Sequence, residues 1–280
     1  DYSFANIKGE PTAKRKAIIA AAGNHHIILM GPPGSGKSIL ARCIHALIPK
    51  TEIENGPPWQ APHSSTGVAG LIGAWHKTRD VGVIPGAWSL AHQGVLFLDE
   101  LPEFPRHALE VLREPLESGK IVISRAHHQV EYPANFQLIA AMNPCPCGYF
   151  GDNLRECNCS AQTIQKYRSK ISGPLLDRID LHVSVPAIPI SELMRERSEQ
   201  RQEDDCVIEQ VAASQRRMVT RTGKANSQLD SNDIEVECQL SSDDSHLLSI
   251  AVDRMGLSAR GYYRVLRVAR TIADLAAEID

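Results

Sequence analysis

The sequence predicts an α/β protein with a parallel sheet flanked by helices, followed by a smaller helical domain at the carboxyl-terminal end. Short apolar segments alternate with helical segments over residues 1–187, which is typical of a parallel sheet covered by helices. The predicted strands are His26–Met30, Val95–Leu98, Gln137–Met142 and Leu181–Val185. The first three end at polar motifs, which should therefore meet at the carboxyl edge of the sheet, where open α/β sheets bind ligands.

The composition is that of an ordinary globular protein. Of the 280 residues, 42% are apolar and 22% are charged. No apolar run reaches the roughly 18 residues that a membrane-spanning helix needs, and no signal peptide opens the chain, so we expect a cytoplasmic protein without a membrane partner. A net charge of −3 gives no overall signature of nucleic-acid binding. The chain begins at Asp1 without a methionine, and we expect it to be part of a longer protein.

The first polar motif is a glycine-rich phosphate-binding loop between the strand that ends at Met30 and a helix over Ile39–Leu47. Glycines let several backbone N–H groups face a phosphate, and the helix amino terminus adds positive potential. The lysine would reach the β- and γ-phosphates of ATP and the second serine would bind Mg²⁺. The alternative is a plain glycine-rich turn, but such a turn would not explain the Lys-Ser pair at the end of the motif. The motif reads Gly31-Pro32-Pro33-Gly34-Ser35-Gly36-Lys37-Ser38.

The second and third motifs supply groups for hydrolysis. The strand Val95–Leu98 ends in Asp99 and Glu100, of which the first would hold Mg²⁺ and the second would polarise the attacking water. A strand that ends in Asp-Glu is common by itself, but its place after the phosphate loop favours a catalytic role. Asn143 ends the third strand and could orient that water, although a turn-forming asparagine before a proline is the alternative.

Two segments are predicted to be inserted into this core. Residues 59–88 are rich in small residues and contain Trp59, Trp75 and Trp88, for which we favour packing over stacking on bases. Residues 119–133 predict a hairpin.

A linker is predicted over 188–205 and a helical domain over 206–280, with helices at 206–220, 243–254 and 258–279. In the last helix Ser258 is the predicted N-cap, and the predicted apolar face carries Tyr262, Val265, Leu266, Ala269, Ile272 and Ala276.

Four of the seven cysteines form two close pairs within residues 145–159. Cys145 with Cys147, and Cys157 with Cys159, could supply four thiolates to a tetrahedral structural Zn²⁺. One residue between the members of each pair is tighter than the usual spacing, so a redox-sensitive dithiol pair and unconnected thiols stay open. The remaining three cysteines are dispersed and are expected to be packed or incidental.

Taken together, the chain resembles the AAA+ ATPases and, within them, the Mg-chelatase-like group that includes a competence-protein type. The resemblance implies a hexameric ring and, in the group, a further amino-terminal domain like that of Lon proteases, which we expect to lie outside this sequence. Beyond the phosphate loop, it is carried by Ala61–His63, Ser89–Glu100, Leu101–Phe104, Met142–Gly148, Gly173–Leu181 and Leu257–Gly261.

The resemblance also implies residue roles. It assigns ATP binding to Gly31–Ile39 and Asp99, and it makes Asn143 the sensor 1 residue. Arg178 resembles the arginine finger that reaches a neighbour's γ-phosphate, with Arg168 as second candidate and an ion pair to Asp177 or Asp180 as the alternative. Arg260 resembles sensor 2, which links nucleotide state to the position of the helical domain; its alternative is a solvated residue of a first helical turn.

In this branch of AAA+ proteins the two inserts project into the central pore. Lys120, Arg125, His127 and His128 would give the hairpin a positive bias suited to a phosphate backbone, whereas an ordinary hairpin with solvated basic residues is the alternative.

Two functions follow from the resemblance. The first is an ATP-driven motor that acts on single-stranded or branched DNA, with branch migration or helicase activity in recombination and natural transformation. The second is a motor subunit for insertion of Mg²⁺ or Co²⁺ into a tetrapyrrole. A non-catalytic nucleotide-binding scaffold is a third hypothesis, against which the intact Lys37, Asp99, Glu100 and Asn143 argue.

Overall fold

A computed structural model describes residues 11–48, 56–75, 82–125, 128–187 and 200–278 of the chain. Its strands are β1 (Ile27–Met30), β2 (Trp59–Gln60), β3 (Gly73–Trp75), β4 (Val83–Pro85), β5 (Val95–Leu98), β6 (Lys120–Arg125), β7 (His128–Pro133), β8 (Gln137–Met142) and β9 (Leu181–Ser184). Its helices are α1 (Pro11–Gly23), α2 (Lys37–Leu47), α3 (Val68–Ile72), α4 (Ala87–Leu90), α5 (Arg106–Val111), α6 (Arg113–Ser118), α7 (Ala161–Arg168), α8 (Gly173–Leu176), α9 (Gln200–Thr222), α10 (Ser231–Glu237), α11 (Ser242–Met255) and α12 (Ala259–Ala276).

The centre of the molecule is a five-stranded sheet in the order β2-β5-β8-β1-β9. Every neighbouring pair in this sheet is parallel. The predicted α/β fold with a parallel sheet and a carboxyl-terminal helical region is therefore confirmed. Because the strands are parallel, the loops that follow β1, β5 and β8 leave the sheet at one edge, and this brings the three polar motifs together.

Apolar side chains fill both faces of the sheet, and each strand contributes alternate residues to the two sides. On one face Ile27 and Leu29 pack against the alanine-rich α1 and against α2. On the other face Leu96 and Leu98 pack against the segments that contain Trp88 and α5 to α8. The fully apolar strands thus predict burial on both sides, as in other parallel sheets.

The predicted insert over 59–88 begins too early. Trp59 and Gln60 form β2, an edge strand of the main sheet that pairs with β5. The Trp59 ring stacks on Phe97 at 5.3 Å between ring centroids, and Trp88 is fully buried. Packing is therefore confirmed for these two tryptophans. The strand escapes sequence prediction because two residues carry no periodicity.

The remainder of that insert folds over the predicted hairpin. Strands β3 and β4 pair antiparallel, as do β6 and β7. The two hairpins meet where the Tyr132 hydroxyl donates to the carbonyl of Val83 at 3.1 Å and where the Trp75 and His128 rings lie 5.8 Å apart. Lys120 pairs with Glu131 at 2.6 Å, which reduces the positive bias predicted for the hairpin. The Arg125 side chain and residues 126–127 lie outside the described residues.

The carboxyl-terminal helices differ from the prediction in extent. Helix α9 starts at Gln200, inside the predicted linker, whose residues 188–199 lie outside the described part. Helix α10 was not predicted; Asp230 and Asp233 form its capping box. Ser258 caps α12 as predicted, since its hydroxyl accepts from the Gly261 N–H at 3.2 Å.

The predicted apolar face of α12 is only partly correct. Leu266 is buried, but Val265 and Ile272 are 38% and 37% exposed, whereas the polar Thr271 and Asp274 are buried. Thr271 joins the helical region to the sheet domain, whereas the bonds of Asp274 lie within the helical region. The Thr271 hydroxyl meets His25 Nε2 at 2.8 Å, and Asn226 Nδ2 bonds both Thr271 and Asp274. Within the described residues no helix is long and apolar enough to cross a membrane.

Candidate active site

The phosphate-binding loop takes the conformation that its glycines permit. Gly34 and Gly36 have φ of +76° and +87°, in the left-handed region that favours glycine. Gly31 leaves β1 against the strand beside it, where a Cβ would lie 2.0 Å from the carbonyl oxygen of Val185. The loop then opens helix α2 at Lys37, and the helix amino terminus faces the space enclosed by the loop.

Lys37 is held inside this loop. Its Nζ donates to the carbonyl oxygens of Gly31 and Pro32, both at 2.8 Å, and to Asn143 Oδ1 at 3.3 Å. Burial lowers the pKa of Lys37, and the nearby Asp99 carboxylate opposes that shift. An ammonium group held by neutral acceptors can exchange them for phosphate oxygens, because its charge is only partly compensated.

The two carboxylates lie at the end of β5. The Ser38 hydroxyl donates to Asp99 Oδ2 at 3.2 Å, so the two predicted Mg²⁺ ligands are adjacent. Hydroxyl and carboxylate oxygens that face solvent are the donors that Mg²⁺ uses alongside water and phosphate, so this pair fits the ion. Glu100 has φ of +52°, a left-handed conformation that costs free energy in a residue other than glycine. The Glu100 N–H donates to Asp99 Oδ1 at 2.9 Å.

Asn143 follows β8 and completes the group. A cavity of about 360 Å³ lies beside it, lined by Glu100, Glu103 and Tyr167 among others. Burial and the Glu103 carboxylate raise the pKa of Tyr167 to about 12, so its hydroxyl keeps its proton at neutral pH. The structure therefore brings together Lys37, Ser38, Asp99, Glu100 and Asn143, as the sequence predicts.

The four paired cysteines form a second group next to this edge. Cys145 Sγ lies 3.3 Å from Cys147 Sγ and 3.7 Å from Cys157 Sγ, and all four sulfurs lie within 4.8 Å of one another. An ion with Zn–S bonds of about 2.3 Å holds tetrahedral sulfurs about 3.8 Å apart, so the group has the right size. Backbone N–H groups of Phe150 and Cys159 point at the sulfurs. The backbone N–H of Tyr149 and the Cys145 thiol lower the pKa of Cys147 to about 6.

The cysteine loop packs directly on the phosphate-binding loop. Gly148 has φ of +89°, and a Cβ added there would lie 2.6 Å from Pro33 Cδ. Arg168 anchors the same segment, since its Nε donates to the carbonyl of Pro144 at 3.1 Å and its guanidinium lies 5.2 Å from the centre of the Phe150 ring. The packing of Gly148 on Pro33 could not be predicted from the sequence, because no pattern in the cysteine segment points to Pro33.

Comparison with known proteins places this site in a family. The family description "Magnesium chelatase, subunit ChlI" matches residues 3–57 and 50–193, and that of the ChlI carboxyl-terminal region matches residues 201–280. The chain belongs to this magnesium-chelatase ChlI family. Membership implies an AAA+-type ATPase that uses ATP and Mg²⁺, in agreement with the site.

Individual relatives agree with this assignment. The chain is 41% identical to competence protein ComM of Haemophilus influenzae and 38% identical to YifB of Escherichia coli, and each match covers 98% of this chain. It is 25% identical to the magnesium-chelatase 38 kDa subunit of Rhodobacter capsulatus, in a match that covers 51% of this chain. The chain spans 56% of the ComM protein.

The two predicted arginines of this ChlI-family chain lie away from its own phosphate loop. Arg178 precedes β9, which runs parallel to β1, so it lies at the amino edge of the sheet, opposite the phosphate loop. It pairs with Glu117 and not with Asp177 or Asp180, the partners that the alternative to an arginine finger named. Asp180 instead accepts from the His26 N–H at 3.1 Å.

Arg260 lies at the same place as Arg178. Its Nη2 donates to Glu117 Oε1 at 2.8 Å. No motif in the sequence points to Glu117, which is distinguished only by its position just before the hairpin.

Proposed function

We propose that this chain is the ATP-hydrolysing core of a motor that works as a ring, with a hexamer as the expected size. The observation that carries the proposal is the convergence of Lys37, Asp99, Glu100 and Asn143 at one sheet edge, while Arg178 lies at the opposite edge. A site split in this way is complete only when another subunit brings its arginine to the phosphate.

The substrate that we propose is single-stranded or branched DNA. Similarity to a competence protein supports this class, with branch migration or helicase activity during recombination and natural transformation. Such a motor would work in the cytoplasm. The two hairpins that pack against each other, β3–β4 and β6–β7, are the elements that we assign to the DNA.

Each residue of the site has a defined task. Lys37 neutralises charge on the β- and γ-phosphates, and Glu100 polarises the attacking water. Asn143 already accepts from Lys37 through Oδ1, which leaves its amide nitrogen to orient the water or the γ-phosphate. Mg²⁺ bound by Ser38 and Asp99 would supply further charge neutralisation when present.

Arg178 and Arg260 act in this proposal on the nucleotide of the neighbouring subunit. A delocalised cation supplied in trans stabilises the charge that accumulates in the transition state, and it links hydrolysis in one subunit to the position of the next. Arg260 therefore acts on the nucleotide of the neighbouring subunit and not on the nucleotide beside Lys37 of its own chain.

For the cysteine group we propose a structural Zn²⁺ site. Four thiolates leave no open coordination position, so the ion would hold the loop and take no part in hydrolysis. The packing of Gly148 on Pro33 supports a role in fixing the phosphate-binding loop.

The second candidate is a motor subunit for metal insertion into a tetrapyrrole. The match to the ChlI family favours it, as does the partial similarity to the Rhodobacter subunit. Both candidates share the ATPase chemistry and differ in the substrate.

ATP turnover of the full-length protein with and without DNA separates the two. We expect stimulation by single-stranded or four-way-junction DNA, with Glu100→Gln as the inactive blank that still binds ATP. Turnover that is indifferent to both DNAs would remove the DNA motor and favour the chelatase. Normal turnover by Glu100→Gln would remove Glu100 from its assigned role.

Mixed assemblies test action in trans. Arg178→Ala and Lys37→Ala should each lose at least about a thousandfold in turnover, since an arginine finger contributes that much or more. Mixing the two inactive proteins should restore part of it, because some sites then combine an intact Lys37 with an intact Arg178. Absence of any restoration would contradict a shared site.

A further inference from the structure

Two arginines from different parts of the chain meet on one carboxylate. Arg178 Nη2 donates to Glu117 Oε2, and Arg260 Nη2 donates to Glu117 Oε1 at 2.8 Å. Each carboxylate oxygen thus takes one guanidinium, one from the sheet domain and one from the first turn of α12. Since like charges repel, the carboxylate between them is what allows the two cations to lie side by side.

The exposed surface of the arginine pair belongs mostly to Arg260. Arg178 uses Nη1 to donate to the Pro174 carbonyl at 2.8 Å, and its Nε is buried without a partner among the described residues. The side chain of Arg178 is 10% exposed, whereas those of Arg260 and Glu117 are 57% and 56% exposed. One carboxylate between two guanidiniums leaves these three side chains with a positive charge, and the Arg260 guanidinium is the part of it that faces solvent.

Glu117 is fixed firmly enough to set a position. Helix α6 ends one residue later, and the Ser118 hydroxyl bonds the carbonyls of Glu114 and Lys120 at 2.9 and 3.2 Å. The Gly119 carbonyl accepts from the Ala134 N–H at 2.7 Å, which closes the base of the β6–β7 hairpin. The carboxylate therefore belongs to a braced turn and not to a free helix end.

We propose that Glu117 is a positioning residue, which holds Arg178 and Arg260 together so that both reach the nucleotide phosphate of the neighbouring subunit. This inference rests on the proposed action of the arginines in trans. Without the carboxylate the two cations separate, and the subunit keeps its own phosphate loop but no longer completes the site of its neighbour.

The full-length Glu117→Gln protein tests this role. Glutamine keeps the size of the side chain but removes the charge that compensates two guanidiniums, so ATP turnover should fall about tenfold or more. Mixing with Lys37→Ala should restore turnover, because those subunits supply an intact arginine pair to sites whose Lys37 is intact. Glu114→Gln is the matched control on the same helix; it is exposed, and we expect normal turnover.

The outcomes separate this inference from the proposed function. Normal turnover by Glu117→Gln, together with an impaired Arg178→Ala that Lys37→Ala restores, overturns the role of Glu117 and leaves the shared site standing. An impaired Glu117→Gln that Lys37→Ala does not restore assigns the residue to its own subunit and also overturns the inference. If Arg178→Ala itself is not restored, the shared site fails and this inference fails with it.

Discussion

At the scale of single residues, contacts within the chain itself hold the groups of the site in place. Lys37 is held by two carbonyl oxygens of its own loop, and Ser38 already meets Asp99. Glu100 adopts a left-handed backbone conformation directly after β5. Fixed groups need little reorganisation when charge develops in the transition state, which is how such sites lower the barrier.

One residue-scale prediction concerns Gly148. Alanine there meets both a positive φ and Pro33 Cδ at 2.6 Å, whereas Gly151 has φ of +78° and open space around its missing Cβ. Gly148→Ala and Gly151→Ala should each lose about 1 kcal/mol in the free energy of unfolding, from the backbone conformation alone. Only Gly148→Ala should also weaken ATP binding, because the added methyl displaces the phosphate-binding loop.

Titration with a fluorescent ATP analogue, beside urea unfolding of both variants, measures the two effects. Equal nucleotide affinity in Gly148→Ala and Gly151→Ala would show that the cysteine loop does not influence the phosphate-binding loop.

At the scale of elements, the cysteine loop over residues 145–159 links two parts of the site. It begins two residues after Asn143, packs on Pro33 and is tied to α7 through Arg168. A loop with little secondary structure of its own has few internal contacts, so a cross-link among its cysteines is an effective way to order it.

The corresponding prediction is one zinc ion per chain. Cys157→Ser should lose the metal and lower the thermal midpoint, since it removes one of four thiolates from the group. Cys206→Ser is the control, because Cys206 is exposed on α9 and distant in sequence from the group. Elemental analysis and thermal unfolding of the wild type, Cys157→Ser and Cys206→Ser measure the metal content and the thermal midpoint. A metal-free wild type that folds stably would contradict the zinc assignment.

At the scale of the whole molecule, buried polar contacts order the helical region, and the bond between His25 and Thr271 joins it to the sheet domain. Asp274 is 1% exposed and accepts from Arg221 Nη1 at 2.7 Å and from Asn226 Nδ2 at 2.8 Å. His25 then connects Thr271 of the same helix to Asp180 at the start of β9. Directional contacts of this kind fix the orientation of the two parts more sharply than apolar packing would.

Removing the buried carboxylate of Asp274 should lower the free energy of unfolding substantially. Asp274→Ala removes the buried anion of Arg221, which keeps an ion pair with Glu237 at 2.9 Å. We therefore expect a loss near the lower end of about 3–5 kcal/mol in the free energy of unfolding. Glu209→Ala is the control, since Glu209 and Arg216 form an ion pair with side chains 71% and 65% exposed, worth no more than about 1 kcal/mol. Urea unfolding measures both; similar losses in the two variants would contradict the weight given to the buried network.

A pH dependence follows from the same region. Burial lowers the pKa of His26, against the raising effect of Asp180, and the added charge of the neighbouring His25 would lower it further. His26 Nδ1 accepts from the Leu138 N–H at 3.0 Å, which requires a neutral ring nitrogen. Below about pH 6.5 the unfolded chain binds a proton that the folded chain does not, so stability should fall as the pH drops through that value.

Urea unfolding between pH 7.5 and 5.5 measures this effect. His26→Asn should flatten the dependence, because its side-chain oxygen can accept from Leu138 without titrating, while His246→Asn, on the exposed helix α11, should not. An unchanged slope in His26→Asn would assign the pH dependence to other groups.

The sequence by itself determined the parallel sheet, its carboxyl-edge motifs and the cysteine group. These features depend on contacts close along the chain, such as a strand that runs into a glycine loop and a helix, or on strand ends that any parallel sheet brings to one edge. Lys37, Ser38, Asp99, Glu100 and Asn143 are therefore found where the motifs predict them.

Only the tertiary structure decided the contacts between distant segments. Glu117 lies 61 residues from Arg178 and 143 from Arg260 along the chain, and neither separation leaves a local pattern. The two-residue edge strand at Trp59, the packing of Gly148 on Pro33 and the polar buried face of α12 have the same origin. Each depends on the path of the whole chain, because a short strand, a glycine or a buried aspartate is stabilised only by partners that folding brings to it.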